Sequence, residues 1–400
     1  MKRLLALRWI GLAASLAGLI LLSLHLIGAS GSAARSGALA VHRAAPTPPG
    51  RFVGGSVLSD EHGTRRLADP ALAPLVGSAG PVAAPSPDGR LVAYNTWRWS
   101  KPIDWQQSLG QQGIDTGDPL GMPRVRLLNL RSGRDEALED GSFSVAWRAD
   151  GALAYVRGVQ PAYLANTPYL RNVIVRKRAQ AAPVAWTSEP ERYLVDAWAG
   201  SSLIVERGVV GGAPDILALD GPGSSRTLAE QAMFLAVSSD GRSMLVAKGV
   251  VDGPAPSVSL VDVASGEVKA SLDLGSVVDP VTGRAVEWVL GPAAWRDDHV
   301  VVAASPGLLV LHAGSELSVE QVLHLDSAAK PNGVLLEPRF TDDTTRTIVA
   351  WSDVPGTDSQ AQAQSVQFLC DRYALRCDRG AAVPSTEAPR PVYDESGGDR

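Results

Sequence analysis

The sequence predicts an all-β fold built from repeated four-stranded antiparallel units, and three observations carry that prediction. A tight polar turn that runs into an apolar strand, first seen at residues 85–94, recurs along the chain. Its aspartates at positions 88 and 343 lie 255 residues apart and span five repeats, about 51 residues each. No segment after residue 28 has a long helical period. Four short strands at such a spacing are typical of the blades of a β-propeller.

The repeated turn is an Asp-Gly pair or a worn version of it. An Asp-Gly pair between two strand-like runs is a strong hairpin signal, because glycine readily takes the positive φ that the turn needs. A gap of 90 residues between Asp150 and Asp240 places one degenerate turn near Gly200. The other copies, from the clearest to the most worn, lie at 88–89, 240–241, 150–151, 295–299 and 340–344.

Six units of four strands are predicted, and a seventh remains open. A further hairpin at 56–67 either supplies a strand that closes the last unit or belongs to a seventh blade. Closure is favoured, because an open ring would leave an unpaired strand edge. Six blades are therefore favoured and seven are possible. The predicted units cover residues 82–138, 144–186, 193–229, 234–274, 287–325 and 334–383.

The pattern Ser-Pro-Asp-Gly-Arg-x-x-Ala-Tyr at 86–94 resembles the repeat of TolB-like six-bladed β-propellers. The resemblance is best at 81–95 and 234–248, and fair at 143–157. It implies a secreted or membrane-anchored bacterial protein. In such proteins the propeller usually serves protein–protein contact or precedes a serine-peptidase domain. This chain has no G-x-S-x-G nucleophile elbow and no α/β pattern after the propeller, so the peptidase version is not expected.

Residues 1–28 are predicted to be a signal anchor or a signal peptide. Three basic residues precede an uncharged run of 20 residues, Trp9 to Gly28, which is long enough to cross a bilayer as a helix. The small residues Gly31-Ser32-Ala33 that follow also fit a secretory cleavage site, so both alternatives stay open. In either case the positive charges before the span place the rest of the chain outside the cytoplasm.

The remaining organisation follows from composition. Residues 29–50, rich in Ala, Gly, Ser and Pro, are predicted to be a flexible linker; 51–384 is the propeller; and the polar stretch 385–400 is predicted to be a disordered tail. A net charge of −5 argues against a surface that follows nucleic-acid phosphates.

The two cysteines, Cys370 and Cys377, flank a predicted turn between two strands. Outside the cytoplasm such a pair is most simply a disulfide. Zinc sites need about four ligands, so the pair alone does not indicate a metal. None of the six histidines forms an H-x-x-x-H or H-E-x-x-H motif. No metal site and no cofactor are predicted.

A long loop and its neighbours predict a binding patch. Residues 100–122 join the second and third strands of the first unit, and structureless loops of that length are usually functional. Loops of this type and loops between successive blades open on one face of a propeller, which we call the loop face. Aromatic side chains dominate binding hot spots. The predicted patch consists of Trp99, Asp104, Trp105, Tyr163, Tyr169 and Asp279.

The sequence thus favours a non-catalytic propeller outside the cytoplasm that binds a protein or an envelope polymer through its loop face. The alternative is a glycosidase-like or lyase-like enzyme with carboxylates at the channel mouth, for which glycosidases need two acids about 5 to 9.5 Å apart. The candidates are Asp104, Asp115, Asp118 and Asp279. Two tryptophans at equivalent turn positions, Trp147 and Trp295, are predicted to pack between blades.

Overall fold

The structure is a computed structural model of the 400-residue chain. All structural statements below concern the residues that it describes. The predicted membrane segment, the linker and most of the tail lie outside them. Within the described part, no helix has the length and apolar character needed to cross a membrane. The described residues are 51–53, 57–60, 63–66, 72–74, 83–98, 123–158, 171–179, 181–208, 213–249, 257–305, 307–325, 334–340, 347–354, 364–384 and 390–391.

The described residues form 29 strands and one short 3₁₀ turn at Leu274–Ser276. The first half of the strands comprises β1 (Arg51–Val53), β2 (Val57–Asp60), β3 (Gly63–Arg66), β4 (Leu72–Pro74), β5 (Ala83–Pro85), β6 (Leu91–Arg98), β7 (Pro123–Asn129), β8 (Asp135–Asp140), β9 (Ser142–Trp147), β10 (Leu153–Gly158), β11 (Arg171–Arg176), β12 (Val184–Ala185), β13 (Tyr193–Ala199), β14 (Ser202–Arg207), β15 (Asp215–Gly221) and β16 (Ser224–Ala229). The second half comprises β17 (Met233–Val237), β18 (Ser243–Lys248), β19 (Ser257–Asp262), β20 (Val268–Asp273), β21 (Val289–Arg296), β22 (His299–Ala304), β23 (Gly307–Ala313), β24 (Leu317–His324), β25 (Val334–Phe340), β26 (Thr347–Val354), β27 (Gln364–Asp371), β28 (Arg376–Pro384) and β29 (Arg390–Pro391).

These strands form seven antiparallel sheets. Six follow one another along the chain, and we number them blades 1 to 6 in that order. In blades 2 to 6 each strand pairs with the next one in sequence. In blade 1 the strand β6 pairs with both β4 and β5. The blades consist of β4–β8, β9–β12, β13–β16, β17–β20, β21–β24 and β25–β28.

The seventh sheet, which we call the terminal sheet, joins the two ends of the described chain. Its strand order is β29-β1-β2-β3, and Arg51 lies opposite Pro391. The hairpin β2–β3 therefore belongs to a sheet of its own and does not extend blade 6. Among the described residues the number of sheets is seven, which is the alternative that the sequence left open, whereas six blades were favoured. Arg390 and Pro391 form a strand within the stretch predicted to be a disordered tail.

The core lies between successive blades. Each of the five apolar clusters combines side chains of two neighbouring blades. Alternate residues of a strand face opposite sides of its sheet, so one strand serves two clusters. In β22, Val300 and Val302 pack against blade 4, whereas Val301 and Ala303 pack against blade 6. Inner strands are therefore nearly continuous apolar runs, while the outer strand β20 is mostly exposed.

The turns between first and second strands repeat one hydrogen-bonding pattern. In blade 1 the hydroxyl of Ser86 donates to Asp88 and accepts from Leu91 N. In blade 4, Ser238 makes the same bonds with Asp240 and Ser243 N. The glycine that follows each aspartate has a φ near +67°, at +66° and +68°. The Asp-Gly signal thus marked real turns for the reason that predicted them.

Two tryptophans connect neighbouring blades directly. Trp147 Nε1 in blade 2 donates to the carbonyl of Ala84 in blade 1 over 3.0 Å. Trp198 Nε1 in blade 3 donates to the carbonyl of Ala146 in blade 2 over 3.2 Å. Trp295 differs, because its Nε1 bonds the carbonyl of Asp297 in its own turn. It still packs, half-buried, against the cluster between blades 4 and 5.

Candidate functional site

The predicted binding patch falls mostly outside the described residues. One of its members, Asp279, is described, and the others are not. Asp115 and Asp118, the two further carboxylates considered for an enzyme, also lie outside the described residues. The undescribed candidates are Trp99, Asp104, Trp105, Asp115, Asp118, Tyr163 and Tyr169.

Asp279 lies in the connection between blades 4 and 5, and its side chain is fully buried. Its Oδ2 accepts the hydroxyl of Thr282 at 2.6 Å and Nδ1 of His324 at 2.7 Å. Its Oδ1 accepts the backbone N–H of Val281 at 3.1 Å. The sequence interpretation of Asp279 as a surface contact is thus corrected. A carboxylate with these three bonds and no exposed area holds its own loop and is not available to a ligand.

The electrostatics of Asp279 agree with this structural role. Burial acts to raise its pKa, but the hydrogen bonds from Thr282, Val281 and His324 outweigh burial and hold the pKa below the ordinary 3.8. The carboxylate is therefore ionised at neutral pH. An ionised group in such a place is stable because it is hydrogen-bonded to donors on both oxygens.

Around this buried carboxylate the chain exposes two valines. Val278 is 51% exposed and Val281 is 68% exposed. Two further backbone bonds, from Asp279 N to Arg284 O and from Gly283 N to Asp279 O, close the turn beneath them. We call residues 276–284 the valine loop. His324 lies opposite Gly307, the residue that starts β23. The valine loop therefore lies on the loop face, as its position between two blades predicts.

A second cluster joins three strands of blade 5. His299 in β22 is directly opposite His312 in β23, and Glu320 is in β24. His299 Nδ1 is 2.9 Å from Glu320 Oε2, and His312 Nδ1 is 3.9 Å from Glu320 Oε1. We call these three residues the histidine cluster. All three side chains keep part of their surface exposed, 26% to 38%.

The histidine cluster contacts the disulfide-closed hairpin of blade 6. Cys370 and Cys377 are bonded, as predicted, and face each other across β27 and β28. The buried Arg372 in the enclosed turn donates from Nη2 to Glu320 Oε2 at 2.6 Å. Its Nε also donates to Gln321 Oε1 at 3.1 Å. Blade 6 thereby holds the carboxylate of Glu320 in place.

A buried acid connects blades 3 and 4. Glu206 in β14 is 7% exposed and its Oε1 accepts the backbone N–H of Phe234 at 2.9 Å. Burial raises the pKa of Glu206 to about 7, and the bond from Phe234 offsets only part of that rise from 4.5. Glu206 therefore gains or loses a proton near neutral pH. The group that titrates lies in the contact between blades 3 and 4.

Sequence reasoning missed the histidine cluster, although part of its signal was present. The predicted strands 300–304 and 308–311 enclose a three-residue connection, whereas the observed strands β22 and β23 are joined by two residues. Counting outward from the observed connection places His299 opposite His312, one position away from the pairing that the predicted bounds give. Motif searches look for histidines close in sequence, and these two are 13 positions apart.

Comparisons with known proteins add the fold. No protein-family profile matches the chain, and no curated protein matches its sequence. Among solved structures, one from a study of two prolyl endopeptidases is 15% identical, with a TM-score of 0.50, and the match covers 85% of this chain and 50% of that one. The chain is a β-propeller. The match covers about half of that peptidase's length, and at this identity the likeness concerns the fold alone.

Two further similar structures are propellers of other kinds. The β-propeller domain of the Trilobed protease from Pyrococcus furiosus is 13% identical, with a TM-score of 0.45, and the match covers 81% of this chain and 88% of that one. TolB from Acinetobacter baumannii is 10% identical, with a TM-score of 0.38, and the match covers 75% and 78%.

Proposed function

We propose that this propeller is a non-catalytic binding module outside the cytoplasm, and that it binds a partner protein through its loop face. The observation that carries the proposal is the valine loop. It combines two exposed apolar side chains, Val278 and Val281, with a fully buried ionised carboxylate directly between them in sequence.

A loop of this kind suits binding for an energetic reason. Association is opposed by the entropy lost when loops and side chains become ordered. The bonds of Asp279 to Thr282, Val281 and His324 have already ordered the valine loop. Its exposed apolar groups then offer surface whose burial is favourable, at about 25 cal/mol per Å². The predicted patch around Trp105 and Tyr163 is proposed to extend this surface.

The location outside the cytoplasm is supported by chemistry at the other end of the chain. Cys370 and Cys377 form a disulfide. Disulfides persist in oxidising compartments and are rare in the cytosol. Together with the basic residues before the apolar run 9–28, this favours export, with the run acting as an anchor or a cleaved signal.

The non-catalytic part of the proposal rests on Asp279. An enzyme of glycosidase type needs one acid able to donate a proton and one accessible carboxylate. The pKa of Asp279 is lowered rather than raised, and its oxygens are occupied by the loop. It therefore lacks both properties.

The test is site-specific photo-crosslinking in the native host. A photoreactive amino acid replaces Val281 in the full chain, and a matched variant carries it at Val184, which is 44% exposed on the outer strand of blade 2. We expect position 281 to capture a discrete protein and position 184 not to capture it. Equal capture at both positions, or capture at 281 of material that only a glycan hydrolase degrades, would contradict the proposal of a protein partner.

A further inference from the structure

Strand pairing and a β-bulge bring the three side chains of the histidine cluster together on one face of blade 5. His299 and His312 are a cross-strand pair, so both rings project from the same face of blade 5. Glu320 is the extra residue of a β-bulge, because Val310 pairs with Gln321 while Leu311 pairs with Val319. Bulges redirect side chains. Here the bulge brings a carboxylate to the two rings.

We propose that His299, His312 and Glu320 form a binding site for a divalent zinc-type metal ion. One ligand atom of each lies within 4.8 Å of the others. Ligand atoms at about 2.0 to 2.1 Å from a tetrahedral zinc ion are about 3.3 Å apart. Small side-chain rotations in half-exposed residues bring the three groups to that separation.

The surroundings of each ligand favour a single arrangement. The edge of the His312 ring that carries Nε2 lies against Gly314. A Cβ atom added to Gly314 would lie 2.8 Å from this Nε2. Nδ1 is thus the atom directed toward Glu320. Arg372 donates to Oε2 of Glu320 and leaves Oε1 for the ion. Such bonds behind a ligand orient it, and their loss typically weakens metal affinity.

The ligand set indicates the class of metal. Imidazole suits zinc and its neighbours among the transition metals, whereas calcium and magnesium take oxygen ligands almost exclusively. Three protein ligands leave one tetrahedral position for water or for a donor from another molecule. The ion would connect three strands of blade 5 at the end opposite the valine loop, so the site is independent of the proposed docking surface.

A purely structural reading of the same residues makes a different prediction. Without an ion, the contact between His299 and Glu320 and the bond from Arg372 form a network that needs no metal. That network would bind zinc no better than any other exposed group. Zinc affinity, selectivity and stoichiometry therefore separate the two readings.

The experiment measures zinc binding to the untagged, full-length, detergent-purified chain with its disulfide intact, using equilibrium dialysis and isothermal titration. We expect one zinc ion per chain and no comparable binding of magnesium or calcium. His299→Ala, His312→Ala and Glu320→Gln should each weaken binding at least about tenfold. The matched control is Glu316→Gln, which removes the same charge from the exposed turn between β23 and β24 and should bind as the wild type does.

Three results would overturn the proposal. They are a wild type that does not bind zinc, ligand variants that bind zinc as tightly as the wild type, and a loss of affinity in Glu316→Gln as large as that in Glu320→Gln. Circular dichroism of each variant checks that the blades are folded. Cobalt provides a second readout, because its visible spectrum should show a tetrahedral histidine site in the wild type and in Glu316→Gln only.

Discussion

His324 Nδ1 lies 2.7 Å from Oδ2 of Asp279, which is fully buried. The two residues are 45 positions apart, one at the end of β24 and the other in the connection that leads into β21. The pair thus fastens the valine loop to the outer strand of blade 5. The loop is exposed at its valines and fixed at its aspartate.

The first prediction concerns this fastening. Asp279→Ala should lower the free energy of unfolding by about 2 to 3 kcal/mol, because three bonds to a charged group are lost. It should also increase hydrogen exchange in residues 276–284. Thr282→Val removes one of the three bonds at nearly constant volume and should lower stability by about 1 kcal/mol. Equal stability of both variants and the wild type in urea would refute a fastening role.

The same carboxylate has a defined pH dependence. Its folded pKa is below the ordinary 3.8. The stability that it contributes is therefore complete above pH 3.8 and is lost as the pH falls through the folded pKa. The difference in stability between wild type and Asp279→Ala should be constant at neutral pH and shrink in acid below that value. Urea titrations at successive pH values measure it.

Glu206 predicts the opposite dependence. Its folded pKa is raised to about 7 from 4.5, so the folded state retains a proton that the unfolded state releases. Stability should therefore fall as the pH rises from 4.5 to about 7 and then level off. Glu206→Gln keeps an acceptor for Phe234 N and should remove this decline, gaining about 1 to 3 kcal/mol at pH 8. A decline that persists unchanged in Glu206→Gln would assign it to other groups.

The tryptophans that join blades can be tested against one that does not. Trp147→Phe keeps most of the apolar surface but leaves the buried carbonyl of Ala84 without its donor, which costs about 1 to 3 kcal/mol. Trp295→Phe loses only a bond to its own exposed turn, so its change should be below about 1 kcal/mol. Thermal melts of both variants compare the two. If Trp295→Phe proves the more damaging, the bonds between blades are not the decisive contribution.

The disulfide is predicted to stabilise blade 6 and the position of Arg372. Closing a loop with a sequence separation of 7 is worth about 2.5 kcal/mol in the loop-entropy model. The double variant Cys370→Ser, Cys377→Ser should lose about that much. The wild type in a reductant should unfold at the same denaturant concentration as the double variant, whose stability the reductant should not change. A reductant effect on the double variant would indicate another cause.

The sequence predicted what neighbours in the chain determine. The turn at Asp240-Gly241 and the strands on either side of it depend on the φ preference of one glycine and on alternation over a few residues. Such signals survive in a single sequence, and apart from β4, which was not predicted, the strands of blades 1 to 6 lie close to where they were expected. The signal for the disulfide was also local, since one hairpin places Cys370 and Cys377 opposite each other.

Features that depend on distant partners were not predictable in the same way. The terminal sheet needs Phe52 to pair with Arg390, and neither segment carries a sequence signal that identifies the other as its partner. Nothing in the sequence of the loop indicated that the charged side chain of Asp279 would be buried. The predicted strand bounds came within one position of pairing His299 with His312, but the position of Glu320 depends on a bulge that no periodicity marks.

The pairing of β1 with β29 sets an order of events during synthesis. Arg51 leaves the ribosome early, and its partner Pro391 is made 340 residues later, which is about 17 to 70 s at the usual rates of elongation. The six blades between them can assemble one after another during that interval. The first strand must wait with one edge unpaired until residues 390–391 have been made. A chain that stops before residue 390 would thus carry folded blades and a permanently open strand edge, which makes truncation an aggregation hazard for this protein.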